Sequence, residues 1–490
     1  MRILAVACFI LSCQLAFVRP AFAREGQPDF RQLVDSYARH RGFNGTVLVA
    51  RGGKVLFRGS YGQADAEWSV PNGPDSRYRI GSLSKPLIAT LVMQLVEQGH
   101  LKLDGTLGFY LPDLYGGTDA SPVTVAQLLS HTSGLADLPA RYDDVWYQTE
   151  ARRSYAPLDF AREWIKPKLL EQPGVKFRYN NNGFYLLGVI IERVTGQKLV
   201  DTLQQRLFGP AGMTESGLFS ERDVLPKLAL GYSRSPAGVL EHPSAINSSV
   251  SFAAAGIYST ADDLFRFDCA LYGSQLIRPE TRALLFQVHS AAYGFGWNVG
   301  QWTLPDGRSL PVVSHTGSVP GYQSYYLRSE LNQDCVIILD NFWQGALVVQ
   351  MGQDLMEVLN GKPMQLSARS LDDLLTPIAY REGTQAMVAA YQGLATRRHE
   401  YDLSEKAFNT LGYKFLRAGR LDDAIAVFGW AVHLFPQSSN THDSLGEAYR
   451  KAGKLTEAVR SYAAALALDP TSTSAKKALE ELTGSSNSKQ

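Results

Sequence analysis

Two segments near the C-terminal end of this 490-residue chain are similar to each other at a constant offset of 34 residues. The matched positions are Leu411 and Leu445, Gly412 and Gly446, Gly419 and Gly453, Ala424 and Ala458, and Pro436 and Pro470. A period of this length is typical of stacked supersecondary units, each of which buries its apolar face only against a neighbour. The repetition therefore predicts an all-α module at residues 405–472.

The period, together with the placement of small and large residues within it, is similar to that of the tetratricopeptide repeat. Two repeats are few to stand alone, so we expect residues 361–404 to supply capping or linking helices. Residues 473–490 are expected to form a further capping helix and a disordered tail. The resemblance implies that the repeats bind a protein partner.

The first 23 residues have the pattern of a secretory signal peptide. Arg2 precedes an apolar run from Ile3 to Val18, and a small-x-small sequence ends at Ala23. The run is short for a membrane span. We therefore predict cleavage after Ala23 and a periplasmic or secreted protein with no transmembrane span. A lipoprotein signal ending at Cys13 is the alternative.

The composition predicts a soluble globular protein that does not bind nucleic acid. The chain is 45% hydrophobic and 19% charged with a formal net charge of +1, and loss of Arg2 and Arg19 with the signal leaves it close to neutral. Bulk electrostatics therefore gives no attraction for nucleic acid or anionic membranes. Cys269 and Cys335 remain after cleavage, and they either form one disulfide or stay free thiols.

The region from 28 to 360 has a mixed α+β pattern. Two β-rich runs around Arg-Gly-Gly at 51–53 predict a hairpin. Apolar spacing predicts helices at 87–98 and 183–195. Strand-like runs follow at 295–302, 311–315, 322–328 and 335–341. This order predicts one antiparallel sheet built from both ends of the region, flanked by helices and carrying a helical insert. The Pro- and Gly-rich stretches 136–170 and 215–250 are predicted to be loops over a cleft.

Three separated motifs carry the candidate chemistry. Ser82 and Lys85 lie one helical turn apart at the start of an apolar helix. Tyr179-Asn180-Asn181 comes just before the helix from 183, and His315-Thr316-Gly317-Ser318 ends a strand. The Ser-x-x-Lys spacing alone is weak, because it recurs at Ser474 and Lys477. The three motifs in this order are far more specific.

With the flanking stretches QLLSHTSGL and SHTGSVPGYQS, the motifs resemble the serine β-lactamase and penicillin-binding protein superfamily. The resemblance covers about 28–345 and is to the branch of class C β-lactamases, D-alanyl-D-amino acid peptidases and related esterases. It implies a fold of the β-lactamase/transpeptidase type and no metal or cofactor. It implies catalytic roles for Ser82, Lys85 and Tyr179, an oxyanion hole from the backbone of Ser82 and Ser318, and substrate binding by Asn181, His315, Thr316 and Gly317.

The residue types suit acyl transfer. A serine hydroxyl needs a neighbour that takes its proton. A lysine serves only if burial or nearby positive charge lowers its pKa. We therefore predict an acyl-enzyme on Ser82, hydrolysed by a water that Lys85 and Tyr179 activate. Ser84 has the wrong offset to Lys85, and His131 is expected to order a loop near the site.

The sequence departs from true β-lactamases at position 315, where those enzymes have a lysine. Histidine is largely neutral near pH 7 and gives no permanent charge for the carboxylate of a penicillin. We therefore expect an exported serine hydrolase of ester or D-amino-acid-containing, cell-wall-type peptide substrates. The alternatives are a β-lactamase acting on penicillins or cephalosporins, and a weakly active scaffold whose repeats bind a partner.

Overall fold

The computed structural model describes residues 29–138, 145–304 and 306–484. The predicted signal peptide at 1–23, with Cys8 and Cys13, lies outside these ranges, as does the tail from 485 onward. In the described ranges no helix is long and apolar enough to cross a membrane.

A six-stranded antiparallel sheet lies at the centre of the mixed region. Its strands are β1 (Gly45–Arg51), β2 (Lys54–Ser60), β3 (Asn298–Thr303), β4 (Ser309–Val319), β5 (Tyr322–Ser329) and β6 (Asp334–Asp340). They are arranged in the order β3-β4-β5-β6-β1-β2. Strand β1 pairs with β6, with Gly45 opposite Asp340 and Arg51 opposite Asp334. The prediction of one antiparallel sheet built from both ends of the region is therefore confirmed.

The predicted hairpin is formed by β1 and β2. Gly52 and Gly53 join the two strands with φ of 56° and 74°. Positive φ at both central residues matches the right-handed twist of the flanking strands. This requirement explains why two glycines stand at the turn.

The longer helices are α1 (Phe30–Arg41), α2 (Ser84–Glu97), α3 (Asn181–Thr195), α4 (Ser248–Ala255), α5 (Ala261–Tyr272), α6 (Leu347–Leu359), α7 (Leu371–Glu382), α8 (Thr384–Gln392), α9 (Glu405–Arg417), α10 (Leu421–Leu434), α11 (Ser439–Lys451), α12 (Leu455–Leu468) and α13 (Thr473–Gly484). Helices α1 and α6 pack on one face of the sheet in a core that includes Val34, Val47 and Met351. Helices α2 to α5 belong to the larger core on the other face. Because both faces are covered, every residue of β5 and β6 is buried.

Shorter elements fill the segments between the long helices. The other helices and helical turns are Gly81–Leu83, Leu107–Tyr110, Pro112–Tyr115, Val125–Leu129, Val145–Gln148, Glu150–Arg152, Pro157–Trp164, Leu199–Leu203, Gln204–Phe208, Gly209–Ala211, Pro279–Phe286 and Arg398–Glu400. The short strands are Gln63–Asp65, Val70–Pro71, Tyr78–Arg79, Gly217–Leu218, Ser233–Arg234, Leu240–Glu241 and Ile257–Ser259. The segments predicted as loops at 136–170 and 215–250 thus hold short helices and strands. Strands of two or three residues are too short to show periodicity in the sequence.

The C-terminal module consists of antiparallel helix pairs, as the repeat predicts. In the first repeat a Cβ at Gly412 would lie 2.5 Å from the ring of Phe428, and in the second a Cβ at Gly446 would lie 2.9 Å from the ring of Tyr462. Glycine at these two positions therefore lets an aromatic ring of the second helix approach the backbone of the first. Helices α7 and α8 share a core with the first repeat, through Leu375, Met387, Phe408 and Phe428 among others.

The segment between the sheet domain and α7 is attached to α1. Ser367 donates its backbone N–H to Ser36 Oγ at 2.9 Å, and its carbonyl lies 2.6 Å from His40 Nδ1. The two remaining cysteines are free thiols, Cys269 exposed and Cys335 buried. Of the two alternatives for this pair, the structure therefore has free thiols.

Candidate active site

Ser82 lies in the 3₁₀ turn Gly81–Leu83 that leads into α2. Gly81 has φ of +55°, and a Cβ there would lie 2.6 Å from the backbone nitrogen of Ser318. Ser84 is buried, donates its hydroxyl to Gly81 O at 2.7 Å and accepts the N–H of Ile257 at 3.1 Å. Ser84 therefore braces the turn, while Ser82 presents its hydroxyl to Lys85.

Lys85 is completely buried, and its amine contacts three oxygen atoms. Nζ lies 2.9 Å from Ser82 Oγ, 2.9 Å from Asn181 Oδ1 and 2.9 Å from the carbonyl oxygen of Ala254. Burial lowers the pKa of Lys85 to about 7, although the negative charge of Asp137 opposes the shift. Near neutral pH a large fraction of this lysine is therefore the uncharged amine.

These contacts fix the direction of the lysine lone pair. Asn181 Oδ1 and the Ala254 carbonyl can only accept hydrogen bonds, so they take the two N–H groups of the neutral amine. The remaining direction points at Ser82 Oγ, whose O–H can donate to it. The arrangement is therefore suited to pull the proton from the Ser82 hydroxyl.

Asn181 is oriented by Asp137. Its Nδ2 donates to Asp137 Oδ2 at 3.1 Å, which leaves Oδ1 to face Lys85. Asp137 Oδ1 also accepts the backbone N–H groups of Asn181 and Asn182 at 3.0 and 3.2 Å. These are orphan donors of the first turn of α3, so one carboxylate caps this helix and orients the amide at the site.

The Ala254 carbonyl reaches Lys85 because α4 is kinked. Phe252, inside this helix, has φ of 34° and ψ of −126°. A positive φ is strained for an aromatic residue, and such strain concentrates at functional sites. The kinked turn packs tightly on α3, where a Cβ at Gly188 would lie 2.6 Å from the Phe252 ring.

Tyr179 lies beside the amine of Lys85, at the mouth of the site. Its ring centroid is 4.8 Å from Lys85 Nζ and 4.3 Å from the ring of His131. It is 38% exposed, whereas Lys85 is fully buried. Three segments expected to converge, those of Ser82, Tyr179 and His315, therefore do meet around Lys85.

The end of β4 forms the opposite wall. A Cβ at Gly317 would lie 1.9 Å from the carbonyl oxygen of Ile80, so only glycine lets the strand approach the turn that carries Ser82. Thr316 and Ser318 are exposed, whereas His315 and Gly317 are buried. The indole N–H of Trp343 donates to Ser318 Oγ at 3.1 Å.

His315 lies beneath this wall. It is 2% exposed, and burial, together with the nearby charge of Lys85, lowers its pKa to about 3. His315 is therefore neutral at physiological pH. Its expected contact with substrate stays a prediction, since the exposed side of the strand carries Thr316 and Ser318.

Sequence reasoning missed three members of this site. Asp137 lies 44 residues before Asn181, in a stretch predicted to be loop. Ala254 contributes only a carbonyl, which every residue type has. Tyr293 contacts both His131 and His315 through its hydroxyl. Asp137 lies two residues beyond the end of the quoted stretch QLLSHTSGL, and this proximity is the one signal in the sequence that could have pointed to it.

Two protein-family models match this chain. A model of the beta-lactamase family matches residues 30–350, and a tetratricopeptide repeat model matches residues 409–473. The chain therefore belongs to the beta-lactamase family, whose members related to this chain are serine hydrolases, and it carries C-terminal tetratricopeptide repeats. The predicted enzyme class is confirmed at this level.

Relatives with different named activities each match more than half of the chain. Penicillin-binding protein 4* of Bacillus subtilis is 30% identical over 69% of this chain and 77% of that protein. Esterase EstB of Burkholderia gladioli is 29% identical over 59% of this chain and 82% of that protein. The structure of a D-stereospecific amidohydrolase from Streptomyces sp. is 25% identical with a TM-score of 0.55, covering 66% of this chain and 98% of that one.

Proposed function

We propose that this protein is an exported serine hydrolase that acts through an acyl-enzyme on Ser82, with ester or D-amino-acid-containing, cell-wall-type peptide substrates. The observation that carries the proposal is the contact between Lys85 Nζ and Ser82 Oγ at 2.9 Å, with the lysine buried and its pKa lowered to about 7. A nucleophile next to a base that is uncharged at neutral pH is the requirement of this chemistry.

In the acylation step Ser82 Oγ bonds to the carbonyl carbon while its proton passes to Lys85 Nζ. The carbonyl oxygen becomes an oxyanion that accepts the backbone N–H groups of Ser82 and Ser318. Loss of one such donor typically costs about 10²–10³ in rate. The bond from carbon to the leaving oxygen or nitrogen then breaks. The leaving group takes a proton from the Tyr179 hydroxyl, which Lys85 reprotonates.

Deacylation reverses these roles with water. A water molecule gives a proton to the Lys85 and Tyr179 pair and its oxygen bonds to the acyl carbon. The bond to Ser82 Oγ breaks, the serine recovers its proton, and the acid product leaves. Asn181 keeps the lysine amine oriented through both steps and binds the substrate amide, while Thr316 and Gly317 line the wall on which the substrate lies.

Position 315 and the relatives support the proposed substrate class. A neutral, buried histidine offers no fixed positive charge to a penicillin carboxylate. The named activities of an esterase and of a D-stereospecific amidohydrolase among similar proteins support esters and D-amino-acid amides. Export is supported by the pattern of residues 1–23, and the repeats support recruitment of a protein partner.

The test is covalent labelling of the full chain with a fluorescent fluorophosphonate, with Ser82→Ala as the negative variant. Ser474→Ala is the matched control, because Ser474 has the same spacing to a lysine but lies in α13. We expect labelling of the wild type and of Ser474→Ala but not of Ser82→Ala. Absence of labelling in the wild type would overturn the acyl-enzyme and favour the scaffold.

Turnover of p-nitrophenyl esters, D-alanyl peptides and nitrocefin by the same preparations identifies the substrate class. We expect ester or D-peptide hydrolysis to exceed nitrocefin hydrolysis. Faster turnover of nitrocefin would overturn the substrate class in favour of a β-lactamase while leaving the acyl-enzyme intact.

A further inference from the structure

The hydroxyl of Tyr293 lies between two buried imidazoles next to the proposed catalytic residues. It is 3.2 Å from His131 Nε2 and 2.9 Å from His315 Nε2. All three side chains are almost completely buried. A phenol with one proton in such a position donates to one imidazole and accepts from the other.

The three side chains form a hydrogen-bonded series, His131–Tyr293–His315. The hydrogen bonds at the two ends of this series fix where every proton lies. At one end His131 Nδ1 accepts the backbone N–H of Asn180 at 3.1 Å, so a neutral His131 carries its proton on Nε2. At the other end His315 Nδ1 lies 2.6 Å from the carbonyl oxygen of Thr316, which only accepts, so His315 carries its proton on Nδ1. His131 therefore donates to Tyr293, and Tyr293 donates to His315.

We propose that Tyr293 is a positioning residue that holds His315 in its Nδ1–H tautomer and, through it, fixes the Thr316 carbonyl at the catalytic end of β4. The proposal rests on the hydrolase function proposed above for its consequence on rate, but the tautomer itself does not depend on that function.

The hydrogen-bonded series holds the end of β4, and this strand end forms the wall of the site. The peptide group that joins Thr316 to Gly317 directly precedes the peptide group that contains the nitrogen of Ser318. Gly317 lies against Ile80, at the start of the Ser82 turn. If His315 adopted the other tautomer, the Thr316 carbonyl would lose its partner and two N–H groups would face the Tyr293 oxygen. The strand end would then be free to move relative to Ser82.

The hydrogen-bonded series also cannot accommodate a further proton on His315. If His315 became an imidazolium, Tyr293 would accept from both rings and its own proton would have no acceptor. Among the described residues, the titratable groups that face His315 are Lys85, Tyr179 and Tyr293. His131 lies on the other side of Tyr293. Burial lowers the pKa of both imidazoles and raises that of the Tyr293 phenol, which is consistent with three uncharged rings.

The backbone that carries the rings of His131 and Tyr293 is strained. His131 has φ of 58°, and Ala291 and Ala292, which lead into Tyr293, have φ of 45° and 58°. Left-handed conformations at non-glycine residues persist only where the surroundings hold them, and they cluster at functional sites. Aromatic packing supplies the support: the His131 and Tyr293 rings lie 4.8 Å apart, and Phe177 lies 5.5 Å from Tyr293.

The direct test is ¹⁵N NMR of the full chain with labelled histidine, with His315 assigned by the loss of its signal in His315→Gln. In the wild type we expect His315 to be protonated on Nδ1 and not to titrate between about pH 5 and about pH 9. In Tyr293→Phe we expect loss of the single Nδ1–H form, by mixing of tautomers or by titration. A wild-type His315 that is protonated on Nε2, or that titrates near its ordinary pKa, would overturn the proposal.

Kinetics then separate positioning from a general loss of structure. With a p-nitrophenyl ester, Tyr293→Phe should lower kcat by about 10- to 100-fold with KM changed by less than about threefold, because reacting groups are misplaced while substrate binding remains. Tyr115→Phe is the matched control, since Tyr115 is also buried and donates to one carbonyl, that of Ile165 at 2.9 Å. An unchanged kcat in Tyr293→Phe would overturn the positioning role.

The two readouts also distinguish this inference from the proposed function. If Tyr293→Phe does not fold, the wild-type tautomer and its pH titration still decide the assignment. If the wild type hydrolyses no substrate and takes no label, the function is overturned and with it the rate consequence. The protonation state of His315 is still measured in that case.

Discussion

The carboxylate of Asp137 accepts the side-chain amide of Asn181, a residue 44 positions further along the chain, at 3.1 Å. The same carboxylate accepts two backbone N–H groups at the start of α3. It therefore joins the stability of a helix end to the orientation of the amide that faces Lys85. A single substitution can separate these two contributions.

We expect Asp137→Asn to impair catalysis more than stability. The remaining carbonyl oxygen still accepts the backbone N–H groups, so the free energy of unfolding should fall by less than about 1 kcal/mol. The new amide nitrogen faces Asn181 Nδ2, which reverses the Asn181 amide and points its N–H at Lys85. We expect kcat to fall about 10- to 100-fold.

The measurements for this variant are urea unfolding and initial rates on an ester. Asp159→Asn is the control, because Asp159 forms an exposed ion pair with Arg162 at 2.9 Å. Equal activity of the two variants would contradict the role given to Asp137.

Lys85 should set the acid limb of acylation. Its pKa in the folded protein is lowered from 10.5 to about 7, so the uncharged amine, which is the form proposed to accept the Ser82 proton, is present above about pH 7 and lost below it. The rate of fluorophosphonate labelling should rise through this pH and then level off. His131 and His315 do not explain such a limb, because burial lowers the pKa of both far below it.

The same shift affects stability with a defined sign. Between about pH 7 and the ordinary lysine pKa of 10.5 the unfolded chain binds a proton that the folded chain lacks. The contribution of Lys85 to the free energy of unfolding should therefore rise with pH across this window.

A labelling rate that shows no limb near pH 7 would show that Lys85 is not the titrating base.

Tyr179→Phe should slow acylation by about 10² to 10⁴, the usual contribution of a positioned proton donor. The ring remains beside Lys85 and His131, so substrate binding should change little. Single-turnover kinetics with an ester separates the acylation rate from binding. Tyr115→Phe serves again as the control, and unchanged acylation in Tyr179→Phe would remove Tyr179 from the proton path.

Gly317→Ala should damage both fold and site. A Cβ at this position would lie 1.9 Å from the Ile80 carbonyl oxygen, so β4 would have to move away from the Ser82 turn. We expect a loss of about 1–3 kcal/mol in the free energy of unfolding and a clear fall in kcat. Gly300→Ala in β3 is the matched control, because its nearest contact is 3.7 Å from Val312. If thermal unfolding and rate are the same for both, the close approach at Gly317 is not required.

A chain that ends after Ala368 should keep its activity on small esters. The buried residues of the core shared by α7 to α11 start at Leu371, whereas those of the two cores around the sheet end at Leu359. The contacts of Ser367 with Ser36 and His40 are retained in this chain. We expect kcat within about threefold of the full chain, since separate cores fold separately. Failure of the shortened chain to fold would show instead that the repeats support the catalytic domain.

The parts of the site that could be predicted are those whose residue types or spacing carry information. Ser82 and Lys85 lie three positions apart in one turn, so their spacing predicts that the two side chains meet, although only the companion motifs make the pair specific. Tyr179, Asn181 and His315 depended on the family resemblance, and their catalytic or binding roles stay predictions. The sheet could be predicted because β1 and β6 contain continuous runs of β-branched and other apolar residues, and β5 is rich in tyrosine.

The parts that could not be predicted depend on backbone geometry and on distant contacts. The carbonyl of Ala254 reaches Lys85 because of the kink at Phe252, a conformation that phenylalanine does not favour. The turn that delivers Tyr293 has positive φ at two alanines, which sequence propensity argues against. Tertiary packing holds both conformations, so the residues themselves give no local sign of them.

The pairing of β1 with β6 has a consequence for how the protein matures. β1 pairs with β2 in the hairpin, but it finds its second neighbour, β6, only when Asp340 has been synthesised, because Gly45 lies opposite that residue. Such a distant partnership makes folding slow and leaves β1 and β2 as an unsheltered ribbon in the meantime. Ser82 and Lys85 are synthesised early, but β4, which forms one wall of the site, is synthesised much later. We therefore expect the proposed site to be incomplete until most of the sheet domain has been synthesised.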